Sequence, residues 1–395
     1  MRILALRPEG LVIPFIHASM VKAFRSLGLE VLVLSFPENE EDAHTLKSLA
    51  RCVPTAIFTV DLPLGIKNKQ SIRDLQSFLG IPWIIWFVDD PDGYGFPGSC
   101  DPFWTIVFCW DREIVGTACS SGSWKGIEPV HLPLAADPEF FFPEGESFPM
   151  SFPGGVFVGV TAHSNPFLDG AIRTCSSFDE DISGLWEIWK SCLGKAPQGL
   201  AWELLGEKTG IDPGTLQQNP LARLWVQSAV YRLGQKKRKE TVCRVIGEGG
   251  GVFGDQGWEQ PMGNLYRGEV TYGENLRRVY LGSAFILDIR QPQSRTGISQ
   301  RVFDAGACGT PVLAEFSPEL ESLFDPEGEI FCFRSIEEAE EIKDRILLDP
   351  RAGREKGGRA RERVLALHTY RNRANQVLNA LHRFFPCSLA YSSIP

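Results

Sequence analysis

Short apolar runs alternate with amphipathic helical stretches along the N-terminal part of the chain, and this alternation restricts the possible folds more than any other feature. Strands are predicted near 2–6, 31–35, 56–60, 83–88, 105–109 and 129–132. Between the first two, Met20, Val21, Phe24 and Leu27 fall at helical spacing after His17, and Gly28 supplies a stop. Runs that are apolar throughout, not alternating, mark strands covered on both faces, so the sheet is expected to be parallel with helices on either side.

The pattern breaks over 138–153, where Pro138, Pro143, Pro149 and Pro153 crowd with Gly145. We read a joint there. A new strand is expected at 156–160, and then a helix-leaning block over about 165–235 holds Trp186, Trp189, Trp202 and Trp225. Strands are predicted again at 241–246, 285–289, 311–314 and 330–333, followed by helices from Ile336 to about 384 and a frayed tail after Pro386. The expected organisation is α/β: an N-terminal domain over 1–150, a second over 151–370 with a helical insertion, and a C-terminal helix and tail over 371–395 that crosses back to the first. Two such sheets suggest a cleft enzyme.

At 395 residues, 43% of them hydrophobic, the chain can fill two cores. With 49 acidic against 40 basic side chains the net charge is −9, which lacks the overall basic field of a nucleic-acid binder. The run Lys236-Lys-Arg-Lys239 reads as a solvated helix face. No stretch offers about 18 uninterrupted apolar residues, so no transmembrane segment is expected. The apolar run after Met1 is too short for a signal peptide, which points to a cytoplasmic protein. Ten scattered cysteines, with Cys100, Cys109 and Cys119 the closest set, lack zinc-site spacing and suggest reduced thiols. No metal site is expected. The six histidines, His17, His163 and His368 among them, form no cluster.

The most informative stretch runs from Ser294 to Leu313. A loop through Arg295, Thr296, Gly297 and Ile298 reaches Ser299, a suitable N-cap, and a helix should follow to Cys308-Gly309. Amides at a helix start favour a diphosphate, and Arg295 and Arg301 add charge that can grip phosphate oxygens. Asp304, about one turn in, could accept hydrogen bonds from sugar or ribose hydroxyls. The same residue types also make an ordinary capped helix with a solvated face. Gly247-Glu-Gly-Gly-Gly-Val-Phe-Gly reads as a loop at the mouth of the second sheet, where Gly247 could approach a nucleotide, or as a plain mobile loop. Asp255 to Met262 reads as loop, so the glycines do not match a dinucleotide fingerprint. Asp89-Asp90-Pro91 closes the buried run 83–88 and would place two carboxylates at the C-terminal edge of a parallel sheet. They could serve as an acid/base pair or simply cap a turn.

Arg301-Val-Phe-Asp-Ala-Gly-Ala-Cys-Gly-Thr-Pro-Val-Leu resembles the donor-site signature of group 1 glycosyltransferases of the two-domain GT-B fold. The likeness extends through Leu323-Phe-Asp-Pro-Glu-Gly-Glu and His368-Thr-Tyr-Arg-Asn-Arg-Ala. Trp86-Phe-Val-Asp-Asp-Pro, Leu132-Pro-Leu-Ala-Ala-Asp-Pro and Phe157-Val-Gly look most like the spore maturation protein CgeB-like branch. The resemblance implies two doubly wound parallel-sheet domains facing a cleft. It also implies metal-independent transfer of a sugar from a nucleotide-diphosphate donor, UDP-sugar favoured, to a polysaccharide, protein or small-molecule acceptor. The family's donor motif carries two glutamates separated by seven residues, the later on the ribose and the earlier on the sugar. Here Asp304 and Thr296 stand in those places, one a shorter carboxylate and the other a hydroxyl. The alternatives are a transferase-like binding or structural protein without turnover, which Thr296 favours, and a sugar-nucleotide epimerase.

Overall fold

The computed structural model describes residues 1–35, 54–62, 70, 73–74, 76–78, 80–91, 100–121, 124, 126–144, 149–160, 178–190, 197–291 and 294–386. By contact they form two units: Met1–Asp137 with Thr296–Ile298 and Leu365–Pro395, and Pro138–Arg295 with Ser299–Val364.

The first unit holds a six-stranded parallel sheet of β1 (Arg2–Arg7), β2 (Glu30–Ser35), β3 (Ala56–Val60), β4 (Trp83–Phe87), β5 (Thr105–Cys109) and β6 (Val130–His131). Their order is β2-β1-β3-β4-β5-β6, in register Leu4↔Leu32, Leu4↔Ile57, Phe58↔Ile84 and Ile85↔Val107. Every residue of β3, β4 and β5 is buried, which is why these strands read as unbroken apolar runs. The helix Ile13–Ser26 starts with Pro14 in its first turn and lays Ile16, Met20, Val21, Ala23 and Phe24 on the sheet. Phe24 meets Phe58 edge to face at 5.2 Å. The helix Tyr370–Phe384 completes the unit, opened by a capping box between Thr369 and Asn372. Its Arg373 is buried and donates from Nε to the Pro133 carbonyl at 2.7 Å and from Nη2 to that of Leu134 at 2.8 Å. His368 lies between two helices, not within one, and its Nδ1 stands 2.9 Å from Arg373 Nη2.

In the second unit β7 (Val156–Val158), β8 (Gly251–Phe253), β9 (Ile286–Asp288), β10 (Val312–Glu315) and β11 (Phe331–Phe333) pair in parallel in the order β11-β10-β9-β7-β8. The block expected to be a helical insertion contains the helices Phe178–Trp189, Gln198–Thr209, Pro213–Leu216 and Pro220–Val245, and its earlier part lies outside the described residues. Trp186 and Trp189 pack edge to face and are buried with Ala201, Ala229, Val230 and Leu233. Trp202 and Trp225 are only partly buried against that cluster.

Three expectations fail here. The predicted strand 241–246 is the end of the helix Pro220–Val245, capped at its start by Asn219 accepting from the Leu221 and Ala222 amides. Val242 and Val245 are buried there with Phe157 and Leu287, so a short apolar run served a helix as readily as a strand. The missing strand is β8, inside the glycine run that was read as a loop. After it, a 3₁₀ turn at Gln256–Trp258 and a short helix at Glu259–Met262 replace the predicted loop.

Candidate functional site

Numbered within its own unit, the first sheet has the order 2-1-3-4-5-6 and the second 2-1-3-4-5, so in each the chain switches sides between its first and third strands. In open α/β sheets ligands bind outside the strands' carboxyl ends at that switch. In the second unit the switch lies between β7 and β9. Asp288 ends β9 and Glu315 ends β10, both buried, while Gly159 and Val160 follow β7.

The helix Gln300–Ala307 rises beside this edge. Ser299 is its N-cap by position but makes no capping bond; its hydroxyl donates to Asp288 Oδ1 at 2.5 Å. Arg301, one residue into the helix, forms an ion pair with the same carboxylate oxygen. Its guanidinium lies 5.1 Å from the centre of the Phe157 ring. A Cβ on Gly159 would come within 3.0 Å of Arg301 Nη2, so a glycine leaves the arginine its place. Asp304 is 1% exposed and accepts from Tyr272 Oη and Gln300 Nε2, each at 2.7 Å.

The run 236–239 is not a solvated face, because Lys237 and Arg238 are buried at 3% and 2% exposure. Lys237 Nζ donates to both Glu315 oxygens, at 2.9 and 2.7 Å, and sits 5.0 Å over the Trp189 ring. Arg290 reaches the same carboxylate from Nη2 at 3.0 Å and through its backbone N–H at 3.1 Å. Burial draws the Lys237 ammonium down to about 8 against the opposing pull of Glu315. For Glu315, burial alone would raise the pKa, but Lys237 and Arg290 hold it below the ordinary value. Lys237 and Arg290 thus meet Glu315 and Arg301 meets Asp288, while Arg238 lies near enough to feel Arg301, Asp288, Glu315 and Asp255.

Of the other predicted residues, Arg295 offers its carbonyl to Arg290 Nη1 at 2.6 Å. Thr296, Gly297 and Ile298 belong by contact to the first unit. Asp111, fully buried after β5, accepts from the amides of Thr296 and Gly297 at 2.9 and 2.8 Å and from the Thr296 hydroxyl at 3.1 Å. The same carboxylate caps the helix Arg112–Ser121 through the amides of Glu113 and Ile114. A Cβ on Gly297 would stand 2.6 Å from Trp110 Nε1, which explains a glycine there. Gly247 precedes β8 and donates to the Gly154 carbonyl, which puts it at the amino-terminal edge of the second sheet, opposite Asp288. It is not brought together with Ser299, Arg301 and Asp304.

Asp89 and Asp90 follow β4 at the carboxyl edge of the first sheet. Asp89 Oδ1 accepts from the Asp90 amide at 2.9 Å, the turn-capping use that the residue types also allowed. Asp61, after β3, holds the turn by accepting from the amides of Val88 at 2.8 Å and Asp89 at 3.3 Å. It does so at φ 54, an uncommon conformation for a non-glycine residue. Sequence reasoning missed Asp61, Asp111, Asp288 and Glu315. Their common signal is an acidic residue at or just past the end of an apolar run. His163 lies outside the described residues. Among the described residues no group of three His, Cys, Asp or Glu side chains could hold a metal ion, and no helix is long and apolar enough to cross a membrane.

His17 is buried on the helix Ile13–Ser26 with its ring 6.3 Å from that of Phe58. Burial, with a smaller push from Arg7, lowers its pKa to about 4 from 6.5. Between those values the unfolded chain binds a proton that the folded chain refuses, so stability is full above about 6.5 and falls as the pH drops toward 4. The loss approaches about 3 kcal/mol. Urea melts across that window should show a steeper fall for the native chain than for His17→Leu. Parallel curves would assign the acid sensitivity to other groups.

Residues 223–379 match the family model described as glycosyl transferase-like. No curated protein matches the chain in sequence. Among solved structures, the fold is similar to that of sucrose-phosphate synthase from Thermosynechococcus elongatus, with a TM-score of 0.56 and 13% identity over 98% of this chain and 99% of that one. HepE from Anabaena, solved with UDP-glucose, gives a TM-score of 0.57 and 10% identity over 97% of this chain and 100% of that one. A glycosyltransferase from Rickettsia africae gives 0.54 and 10% over 98% and 99%. The fold is thus α/β with two parallel sheets, shared with GT-B glycosyltransferases, as the sequence implied.

Proposed function

We propose that the chain is a glycosyltransferase that binds a nucleotide-diphosphate sugar, UDP-sugar favoured, on its second unit and transfers the sugar to an acceptor hydroxyl without a bound metal. The observation that carries this reading is a fixed, partly buried cation at the switch point between β7 and β9. There Arg301 is braced by Asp288 at the start of the helix Gln300–Ala307. A diphosphate departing from a sugar gains negative charge, and fixed cations with helix-start amides stabilise that charge without rearranging. The glycosyl transferase-like match over 223–379 and the UDP-glucose complex of HepE support the same assignment.

Ribose hydroxyls meet Tyr272 and Gln300, which Asp304 holds in place. At the first sheet's carboxyl edge, Asp90 takes the role of positioning or deprotonating the acceptor, while Asp89 and Asp61 fix its turn. The motifs at 86–91, 132–138 and 157–159 support membership of the CgeB-like branch, and a cytoplasmic location is proposed with it. A transferase-like binder without turnover is the second reading, favoured by the engagement of the Thr296 hydroxyl with Asp111.

Thermal shift with UDP, GDP, dTDP and ADP, followed by incubation with their sugar conjugates in EDTA, tests the proposal. One diphosphate should raise the melting temperature, and its sugar conjugate should be hydrolysed or transferred. Stabilisation without turnover would leave only the binder. No stabilisation by any of the four would sink both. Asp89→Asn with Asp90→Asn should leave diphosphate binding intact and abolish most transfer, and unchanged turnover would remove the acceptor-side role.

A further inference from the structure

Arg238 stands out because the mechanism does not yet use it and its surroundings do not satisfy it. It lies in the helix Pro220–Val245, at 2% exposure, and Nη1 donates to the Val160 carbonyl at 2.8 Å. Among the described residues, Nε and Nη2 have no hydrogen-bond partner, although both are buried. These two N–H groups form the side-on edge of the guanidinium, the pair that meets two oxygens of a phosphate or carboxylate at once. Buried donors left unmet are destabilising, so such an edge calls for an acceptor.

Its position indicates which acceptor. The guanidinium stands 6.0 Å from the centre of the Phe157 ring, and Arg301 stands 5.1 Å from the same ring. Two like charges share one aromatic side chain at the end of β7. Burial and then the nearness of Arg301 lower the Arg238 pKa to about 10, while Asp288 offsets this only in part. An anion between the guanidiniums would turn mutual repulsion into two attractions.

The geometry points to Arg238 as a phosphate-binding residue, its Nε and Nη2 edge gripping oxygens of the donor's diphosphate beside Arg301. This rests on the nucleotide-diphosphate reading above and adds to it a residue from the helical block, outside the 294–313 segment. A site built this way takes a diphosphate better than a monophosphate, because two guanidiniums from different elements can each hold a phosphate group. Lys237, adjacent in sequence, serves differently, since both of its hydrogen bonds go to Glu315.

The test uses the full chain and the tightest binder among UDP, GDP, dTDP and ADP, together with its monophosphate and nucleoside. Calorimetry should show the native protein preferring the diphosphate over the monophosphate by at least about tenfold. Arg238→Gln should reduce that preference to near unity with nucleoside binding unchanged. Arg238→Lys, which keeps charge but loses the fork, should recover only part of it. Melting temperatures without ligand supply the second measurement: a residue kept for binding leaves Arg238→Gln as stable as the native chain or more so, whereas a structural residue leaves it less stable. A native protein that binds diphosphate no better than nucleoside overturns the underlying reading and this assignment together. A native preference that persists in Arg238→Gln overturns the assignment alone.

Discussion

Replacing Glu315 with glutamine is expected to lower the stability of the folded chain by about 3–5 kcal/mol. The carboxylate at the end of β10 is wholly buried and accepts from Lys237 and from both the side chain and backbone of Arg290. Removing its charge leaves two buried cations facing a neutral amide, and stranding a buried ion is far more harmful than losing an exposed pair. Lys237, already drawn down to about 8, would fall further and fold without its proton. The variant then gains on the native chain wherever the native Lys237 is still protonated and the variant's is not. Its deficit should be largest in mild acid and should narrow as the pH rises toward about 8. Denaturant melts at several pH values check both size and trend. A loss below about 1 kcal/mol, or one independent of pH, would mean that Lys237 and Arg290 are satisfied by other groups.

The same cluster shows what could be read in the sequence. The central strands β3, β4 and β5 were legible because each is buried on both faces, so composition alone revealed them. The segment leading into the helix Gln300–Ala307 was legible through its turn, its cap position and its small residues. The helix's true anchor was not, because Asp288 sits eleven residues before Ser299 and joins it only in the folded unit. Lys237 and Arg238 were misread for a related reason. Four basic residues in a row suggest solvent, and nothing local shows that the helix Pro220–Val245 turns two of them toward Glu315, Val160 and Phe157. The strand predicted at 241–246 failed because Thr241-Val-Cys-Arg-Val-Ile satisfies both periods over so short a span. Thr296 occupies the motif position expected to meet the sugar, yet a carboxylate nearly two hundred residues earlier in the chain takes up its hydroxyl and amide.

Arg301 is where the functional reading is most exposed to experiment. In Arg301→Ala, kcat for sugar transfer is expected to fall by about 10²–10³, the range typical of losing one fixed donor to a developing oxyanion. Arg301→Lys should recover little of it, since an ammonium carries the charge without the planar fork and stacks poorly on the Phe157 ring. Asp288 keeps the Ser299 hydroxyl but loses its ion pair in Arg301→Ala, so a denaturant melt that shows the variant folded under assay conditions is what assigns the loss to chemistry. The effect should fall chiefly on kcat, with a smaller rise in KM, because the guanidinium meets more negative charge as the sugar–phosphate bond breaks than in the bound donor. A change confined to KM would show uniform phosphate binding at this position. Transfer at the native rate in Arg301→Ala would remove the β7–β9 edge from the reaction.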